Sequence, residues 1–443
     1  MKQSQNAITY LRSQYRAVYG RAYVKGLASA VLLSSALAPM VAQAATINGS
    51  TWDNATDATL NGQNDTLGTT TKDTKSFNKL SLGNGANVTI DQSHSVAVKD
   101  QLWVTAGNTV NVTSGGSVTS WDPIQTTGYL NATGDLISNG TINLGSGTAG
   151  TSSIEVNRVE LQNSSVTNIQ GETHTGTASP TSKPHWTTNA KLVAGHGQNG
   201  ELVQYASAQL NLNNSSMVEV RPDSTAKFDG TINFNATDQF NSAIIRGVAH
   251  NQDGAGTSAD LHFNSGSTIN VNSGAGENGI YAARAQFTQN TINVKNGGTL
   301  NLDGDFLSDT SSAHGQGSFL ADGATINIAN GGRVIVGNGS NTQDPTNPDF
   351  NPETSKTTLA LASNDSADSH IKGSGTLEVR GNLILTETIL DEFVGTPNNE
   401  GHVQLSNGGR MEFIHNTEAV EVSDYTFAPA ASAGTTNKVM QIS

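Results

Sequence analysis

The sequence predicts an all-β protein, a right-handed parallel β-helix whose turns are joined by irregular loops. Thr-Ile-Asn followed by an apolar residue occurs five times, and Asn-Gly-Gly followed by an alternating strand occurs three times. One such strand cannot bury its apolar side, whereas many strands stacked along one axis can. The five copies of the first phrase are Thr141–Leu144, Thr231–Phe234, Thr268–Val271, Thr291–Val294 and Thr325–Ile328, and the copies of the second are residues 296–302, 330–336 and 407–413.

Each half of the repeat has a physical reason. Asn and Gly tolerate a positive φ, so Asn-Gly-Gly turns the backbone sharply with little strain. Thr, Val and Ile suit a half-buried strand because they branch at Cβ. In residues 330–336, Val334 and Val336 point to one side, and Arg333 and Ile335 to the other. We expect the recurring Asn to form side-chain ladders between stacked turns.

The spacing of the repeat is irregular. Successive Thr-Ile-Asn phrases start 90, 37, 23 and 34 residues apart. Turns must therefore carry loops of different length, or some turns have lost the phrase. With about 20–30 residues in each turn, we expect roughly 13–18 turns. The alternative architecture is one or two β-sandwiches built from short strands.

Composition favours an extended β-structure. Charged residues make up 14% of the chain and aromatic residues 5%, whereas a typical globular domain has about 25% charged residues. The many polar residues resemble a disordered chain, but the apolar residues alternate with period two, which indicates strands. Helical periodicity is nearly absent after residue 45, and short helices are considered only at residues 282–288 and 387–393.

The first 44 residues are predicted to be a secretory signal peptide with an extended basic region. An apolar run over residues 26–37 precedes the small-x-small pattern Ala42-Gln43-Ala44, so we predict cleavage between Ala44 and Ala45. A membrane anchor is the alternative, but about 18 apolar residues would be needed and the run is shorter. The basic residues of this lead are Lys2, Arg12, Arg16, Arg21 and Lys25.

Charge and cysteine content exclude several function classes. The whole chain has a formal charge of −14, and without the five basic residues of the lead 18 basic side chains face 37 acidic ones, which gives −19. We therefore expect no binding of nucleic acid. The chain has no cysteine, which excludes thiol catalysis and cysteine-bound metals. We predict no cofactor and no metal.

The lead, the cysteine-free repeats and residues 373–385 (Gly-Ser-Gly-Thr-Leu-Glu-Val-Arg-Gly-Asn-Leu-Ile-Leu) resemble autotransporter passenger domains. The resemblance covers residues 1–428, with the passenger at 45–428. It implies a β-helix displayed on, or released from, the outer membrane of a Gram-negative cell, acting in adhesion, aggregation or virulence. It also implies a translocator β-barrel. Nothing after Phe427 has the strands of such a barrel, so residues 429–443 are predicted to be a linker or a truncated end, and the translocator a partner absent from this chain.

The search for catalytic motifs is mostly negative, so we predict that the protein is not an enzyme. Gly195-His196-Gly197 and His370-Ile371-Lys372 resemble two polygalacturonase motifs, but the carboxylate motifs that glycoside hydrolysis needs are missing. Arg221 and Arg246 have no acidic neighbours at a spacing that suits a lyase. Candidate calcium ligands are the oxygens of Asn301, Asp303 and Asp305, with the remaining ligands not identified.

Three functions remain open on the sequence alone. The first is an adhesin-like β-helix whose partner is a host surface or matrix glycan or protein, or a second copy of the chain. The second is a polysaccharide-active enzyme on the same scaffold. The third is an inert stalk or biofilm component. Residues 171–200 and 338–357 are predicted to be excursions from the helix body, and excursions are common binding sites.

Overall fold

The computed structural model describes eighteen segments of the chain, all within one compact unit, Ile47–Ser443. The predicted signal peptide and its cleavage residues Ala42, Ala44 and Ala45 lie outside these segments, as do residues 174–189 and 338–356 of the two predicted excursions. The segments are residues 57–61, 64–67, 74–90, 95–112, 117–119, 134–145, 152–173, 190–195, 199–237, 241–248, 258–272, 277–305, 317–337, 357–364, 367–395, 400–406, 409–413 and 439–442.

Successive strands visit three faces in turn, and each strand pairs in parallel with strands of the same face one turn away. Strands are numbered along the chain. β3 (Thr74–Gly83) and β5 (Ser95–Val104) bend from face 1 into face 2. Face 1 continues with β7 (Ser117–Thr119), β10 (Ser152–Val156), β13 (Ala190–Ala194), β16 (Ser216–Val220), β19 (Ser242–Gly247), β22 (Glu277–Ala282), β25 (Thr299–Asp303), β28 (Arg333–Val336), β32 (Thr376–Val379) and β34 (His402–Leu405).

Faces 2 and 3 complete each turn. Besides the second halves of β3 and β5, face 2 contains β1 (Asp57–Asn61), β8 (Asp135–Ser138), β11 (Arg158–Leu161), β14 (Glu201–Gln204), β17 (Thr225–Phe228), β20 (Asp260–Phe263), β23 (Arg284–Thr288), β26 (Ser318–Asp322), β29 (Thr358–Asn364), β33 (Asn382–Leu385), β35 (Arg410–Phe413) and β36 (Val439–Ile442). Face 3 contains β2 (Asn64–Leu67), β4 (Asn87–Ile90), β6 (Thr109–Val112), β9 (Thr141–Leu144), β12 (Val166–Ile169), β15 (Gln209–Leu212), β18 (Thr231–Phe234), β21 (Thr268–Val271), β24 (Thr291–Val294), β27 (Thr325–Ile328) and β31 (His370–Lys372).

This topology confirms the predicted parallel β-helix, with the right-handed crossover that parallel strands favour. Among the described strands the one antiparallel pair joins β29 to β30 (Ala367–Asp368), which rules out the sandwich alternative. Face 2 carries fourteen of the described strands, which falls within the predicted number of turns. All five Thr-Ile-Asn phrases are strands of face 3. The long gap between Thr141 and Thr231 contains β12 and β15, two turns that keep only the Asn of the phrase.

The core lies between the three faces and follows the alternation of the strands. In each Thr-Ile-Asn strand the Ile and the fourth residue are buried, whereas the Thr and Asn are half-exposed. Val334 and Val336 are fully buried as predicted, and Ile335 on the opposite side is also nearly buried. The Asn-Gly-Gly turns place the positive φ on the first glycine, with φ of 75° at both Gly297 and Gly331.

A helix, α1 (Glu387–Val394), takes the place of a face-3 strand in the turn after β33. It begins at Thr386, whose side chain accepts a hydrogen bond from the backbone N–H of Ile389. The helix buries Ile389, Leu390 and Phe393 and covers the edge of face 3 beside β31. It thereby protects an unpaired strand edge from further pairing. No helix of the described segments is long and apolar enough to cross a membrane.

Two predictions of local structure are wrong, and one segment extends the fold. Residues 282–288, considered as a helix, are the end of β22 and the strand β23, because their alternating apolar residues fit a parallel ladder. Residues 190–194, placed in an excursion, form β13. The helix at 387–393 is confirmed. Residues 439–442, within the segment expected to be a linker or truncated end, form β36 and pair with β35.

Candidate functional site: an uncharged asparagine–threonine face

The outer surface of face 3 carries two rows of polar side chains, one residue of each row from every turn between β6 and β27. The first outward position of the strand is Thr in six of these turns, and Val166 or Gln209 in the other two. The third position is Asn in all eight. Parallel pairing in register places each row in a straight line. The asparagine row is Asn111, Asn143, Asn168, Asn211, Asn233, Asn270, Asn293 and Asn327.

The asparagine row is a continuous hydrogen-bonded ladder, as the sequence predicts. In each step the Nδ2 of one Asn donates to the Oδ1 of the Asn one turn earlier, at 2.8–3.1 Å. At the start of the row Asn111 reaches diagonally to Oδ1 of Asn87 at 2.7 Å. From Asn143 to Asn293 each amide uses one N–H and one oxygen lone pair in the ladder, and retains a second of each for a partner.

A shorter row runs beside the ladder, two residues further along the chain. Asn235 Nδ2 donates to Oδ1 of Asn213 at 3.1 Å, and Asn272 donates to Asn235. The row ends where Lys295 Nζ donates to Oδ1 of Asn272 at 2.6 Å. The face therefore presents side chains that are already fixed by their neighbours, which lowers the entropy lost when a partner binds.

The strand positions of the face are uncharged, although the whole protein is strongly acidic, and the charged Lys295 lies beside them at the end of the shorter row. From β6 to β27 no outward strand position of face 3 carries a charged side chain. Charge begins at β31, where His370 Nδ1 and Lys372 Nζ lie 2.6 and 3.2 Å from Glu392 of α1. Burial favours the neutral form of Glu392, but hydrogen bonds from His370 and Lys372 outweigh it and lower the pKa of its carboxyl below the ordinary value.

The outer side of face 1 differs from face 3 because it is buried between β16 and β25. Arg246 lies between two carboxylates, with Nε 2.7 Å from Asp305 and a guanidinium nitrogen 3.5 Å from Glu219. Arg221 also contacts Glu219, at 2.9 Å. The two arginines, for which the sequence showed no acidic neighbours at a spacing that suits a lyase, are thus in contact with buried carboxylates in the fold. The side chains of Arg246, Glu219 and Asp305 are 9%, 4% and 2% exposed, so a sugar chain cannot reach this pair of carboxylates.

The oxygens considered as calcium ligands are bound by protein groups. Asp303 accepts hydrogen bonds from the Thr357 hydroxyl at 2.6 Å and from the Gly304 N–H at 2.9 Å. Asp305 binds Arg246, and Asn301 donates to the backbone oxygen of Asn278. No cluster suited to a metal ion occurs within the described segments. These contacts instead join the end of β25 to Thr357, the residue before β29.

The two polygalacturonase-like motifs do not form one site. Gly195 follows β13 on face 1, whereas His370 and Lys372 belong to β31 on face 3, several turns further along the stack. Residues 196 and 197 lie outside the described segments. His370 and Lys372 bind Glu392 of α1, so within the described chain their role is to hold the helix that covers face 3.

We predict that the ladder stabilises the stack. Asn233→Asp replaces the Nδ2 donor with a carboxylate oxygen facing Oδ1 of Asn211, now 2.8 Å from Nδ2. This loss of a donor is expected to lower the free energy of unfolding by about 1–3 kcal/mol, measured as a lower guanidinium midpoint at pH 7. Asn163→Asp is the control, because Asn163 accepts from Ser207 N–H and an aspartate also accepts. Equal shifts in both variants would contradict a stabilising ladder.

Comparisons with known proteins assign neither a family nor a function. No protein-family model and no curated protein sequence matches the chain. Among solved structures, the TibC-catalysed hyper-glycosylated TibA55-350 fragment is similar at 14% identity, with a TM-score of 0.32, over 81% of this chain and 89% of that fragment. A similarity this remote does not assign a function.

Proposed function

We propose that this protein is an exported surface β-helix of the adhesin type, which acts by contact and not by catalysis, with face 3 as its contact surface. The observation that carries this proposal is the uncharged asparagine–threonine face, which runs through eight turns of a strongly acidic chain. The predicted signal peptide and the resemblance to autotransporter passengers support export, with a translocator β-barrel in the outer membrane as the partner for display.

An uncharged face suits two kinds of partner. A second copy of the chain could approach face to face without bringing like charges together, although each copy has a formal charge of −14. A host surface or matrix glycan or protein could bind the free amide and hydroxyl groups. Each contact is weak, but contacts repeated about every 4.8 Å along the stack add up when many copies act together.

We predict that negative charge on face 3 abolishes this contact. Thr231→Asp combined with Thr291→Asp places two carboxylates on the outer threonine row, one on either side of Thr268. Beads coated with the purified full chain are expected to clump, to attach to cultured epithelial cells, or both. The double variant is expected to lose at least about tenfold of that activity. Its added carboxylates would face like charges on a second copy, or would lose their water against another partner.

A matched variant controls for charge alone. Gln286→Glu combined with Ser318→Asp adds the same two charges to the outer side of face 2, near Arg284. Beads coated with this variant are expected to clump or attach as the unchanged protein does. Unchanged protein that neither clumps beads nor binds cells would reject the adhesin role, and equal loss in both double variants would reject face 3 as the contact surface.

A further inference from the structure

Two of the three exposed large apolar side chains of the described segments lie on the outer side of face 2, and the third directly follows a face-2 strand. They are Trp103, Tyr205 and Leu320, which are 41%, 37% and 40% exposed. Trp103 belongs to a row that runs from Ser81 through Trp103, Ile137 and Glu160 to Val203, one residue for each turn. Tyr205 is the residue directly after β14, two residues beyond Val203. We call Trp103, Ile137, Glu160, Val203 and Tyr205 the aromatic patch.

We propose that the aromatic patch binds an uncharged oligosaccharide of hexopyranose units. A pyranose ring has an apolar face of C–H groups and an edge of hydroxyl groups, and it therefore needs an aromatic surface beside fixed polar groups. Trp103 and Tyr205 supply the aromatic surface at the two ends of the patch. Arg158 and Glu201, which lie beside the patch and are 36% and 33% exposed, supply donor and acceptor groups for the sugar hydroxyls. Glu160, between the two aromatic side chains, is buried and holds Arg158 in place.

The polar part of the patch is fixed before any ligand binds. One oxygen of Glu160 accepts from Gln162 Nε2 at 2.9 Å, and the other lies 3.0 Å from the guanidinium of Arg158. Arg158 also contacts Glu201 at 3.5 Å. A hydrogen bond from Lys227, at 2.8 Å, lowers the pKa of the Glu201 carboxyl and keeps it ionised. Held side chains lose little entropy on binding.

Charge and size favour a glycan over a charged ligand or a protein. The two carboxylates of Glu160 and Glu201 are balanced by Arg158 and Lys227, so the patch attracts neither an anion nor a cation strongly. Along the stack the patch spans three steps between neighbouring strands, about 14 Å, and along the strand it spans two outward positions, about 7 Å. That surface of roughly 100 Å² is far below the area of about 800 Å² per partner in a stable protein interface, but it accommodates a few sugar rings.

The inference deepens the proposed adhesin function, because it assigns that protein a glycan site separate from face 3. The test titrates the full chain with two neutral β-1,4-linked hexasaccharides, cellohexaose and the hexamer of N-acetylglucosamine, and with the anionic hexamer of galacturonic acid. At least one neutral hexasaccharide is expected to bind, more tightly than the anionic hexamer. Trp103→Ala and Tyr205→Ala are each expected to weaken this binding about tenfold or more, and Trp103→Phe is expected to restore part of it.

Leu320→Ala is the matched control, because Leu320 is equally exposed and lies in the same row as Trp103, seven turns further along. Its affinity for the hexasaccharides is expected to be unchanged. No binding of either neutral hexasaccharide, or binding that Trp103→Ala leaves unchanged, would overturn the proposal. The two proposals fail separately, because bead contact depends on Thr231 and Thr291, whereas hexasaccharide binding depends on Trp103 and Tyr205.

Discussion

Phe263→Ala is expected to lower the free energy of unfolding by about 3–5 kcal/mol. Phe263 is completely buried inside face 2, and its ring stacks between those of Phe228 and Phe287, with ring centroids 4.9 Å apart on each side. Alanine would remove the ring from the middle of this stack and leave a cavity. The neighbouring turns cannot close that cavity easily, because the backbone ladder fixes their separation at about 4.8 Å.

The packing around the phenylalanine stack shows why the cavity would persist. Above Phe287 the stack moves sideways to Phe319, at a centroid distance of 6.3 Å. Register pairs Phe287 with Ala321 and Phe319 with Ala285, so a large side chain always meets a small one at this step. This pairing of a large with a small side chain holds Phe287 in place, so Phe287 does not move readily into the space that Phe263 would leave.

The effect of Phe263→Ala is measured by guanidinium denaturation together with hydrogen exchange. A solenoid transmits strain mainly to adjacent repeats, so faster exchange is expected in β17, β20 and β23, and unchanged exchange in β8 and β11. Leu320→Ala is the control, since Leu320 is 40% exposed and its loss should change the free energy of unfolding by less than about 0.5 kcal/mol. A loss below about 1 kcal/mol for Phe263→Ala would contradict a tightly packed stack.

The sequence predicts the fold well where one short phrase contains all the positions of a strand. Thr-Ile-Asn contains both the buried and the outward positions of a face-3 strand, so its five copies define the register of that face and predict the ladder of Asn side chains. The phenylalanine stack also has a signal in the sequence that the prediction did not use. A second short pattern, an apolar residue followed by any residue and then Phe, lies a few residues before three of the Thr-Ile-Asn phrases. Its phenylalanines are Phe228, Phe263 and Phe287.

The sequence does not predict contacts between turns whose loops differ in length. Arg246 and Asp305 are 59 residues apart, and Thr357 and Asp303 are 54 apart, yet each pair is in hydrogen-bond contact. The number of residues in each loop is irregular, so the partner of a side chain on the next turn cannot be found by counting. The contact of Arg221 with Glu219, only two residues away, is the exception, because residues i and i+2 of an extended strand lie on the same side.

Arg246→Met is also expected to lower the free energy of unfolding by about 3–5 kcal/mol, because it removes the guanidinium between two buried carboxylates. Methionine fills a similar volume but cannot neutralise Glu219 or Asp305, whose side chains are 4% and 2% exposed. The measurement is the guanidinium midpoint at pH 7, with hydrogen exchange of β16, β19 and β25. Exchange in β8 and β11 should stay unchanged, because those strands are several turns away.

Arg221→Met is the matched control for Arg246→Met, because both arginines contact Glu219. The Arg221 side chain is 42% exposed and that of Arg246 is 9% exposed. Water screens the exposed Arg221 side chain, and Arg246 still neutralises Glu219 in this variant, so Arg221→Met should lower the free energy of unfolding by about 1 kcal/mol or less. Equal losses of unfolding free energy in the two variants would contradict the idea that burial accounts for the larger effect of Arg246→Met.

A triple variant separates the charge of the cluster from its shape. Combining Arg246→Met with Glu219→Gln and Asp305→Asn removes the buried charges together, and an ion cluster replaced as a whole can cost far less than one that loses a single partner. We therefore expect the triple variant to recover most of the stability lost in Arg246→Met. If it does, the buried side chains on the outer side of face 1 must be free of unpaired charge but need no specific charge, which agrees with a structural role. If the triple variant is no more stable than Arg246→Met, the hydrogen bonds of Arg246 hold this part of face 1 together.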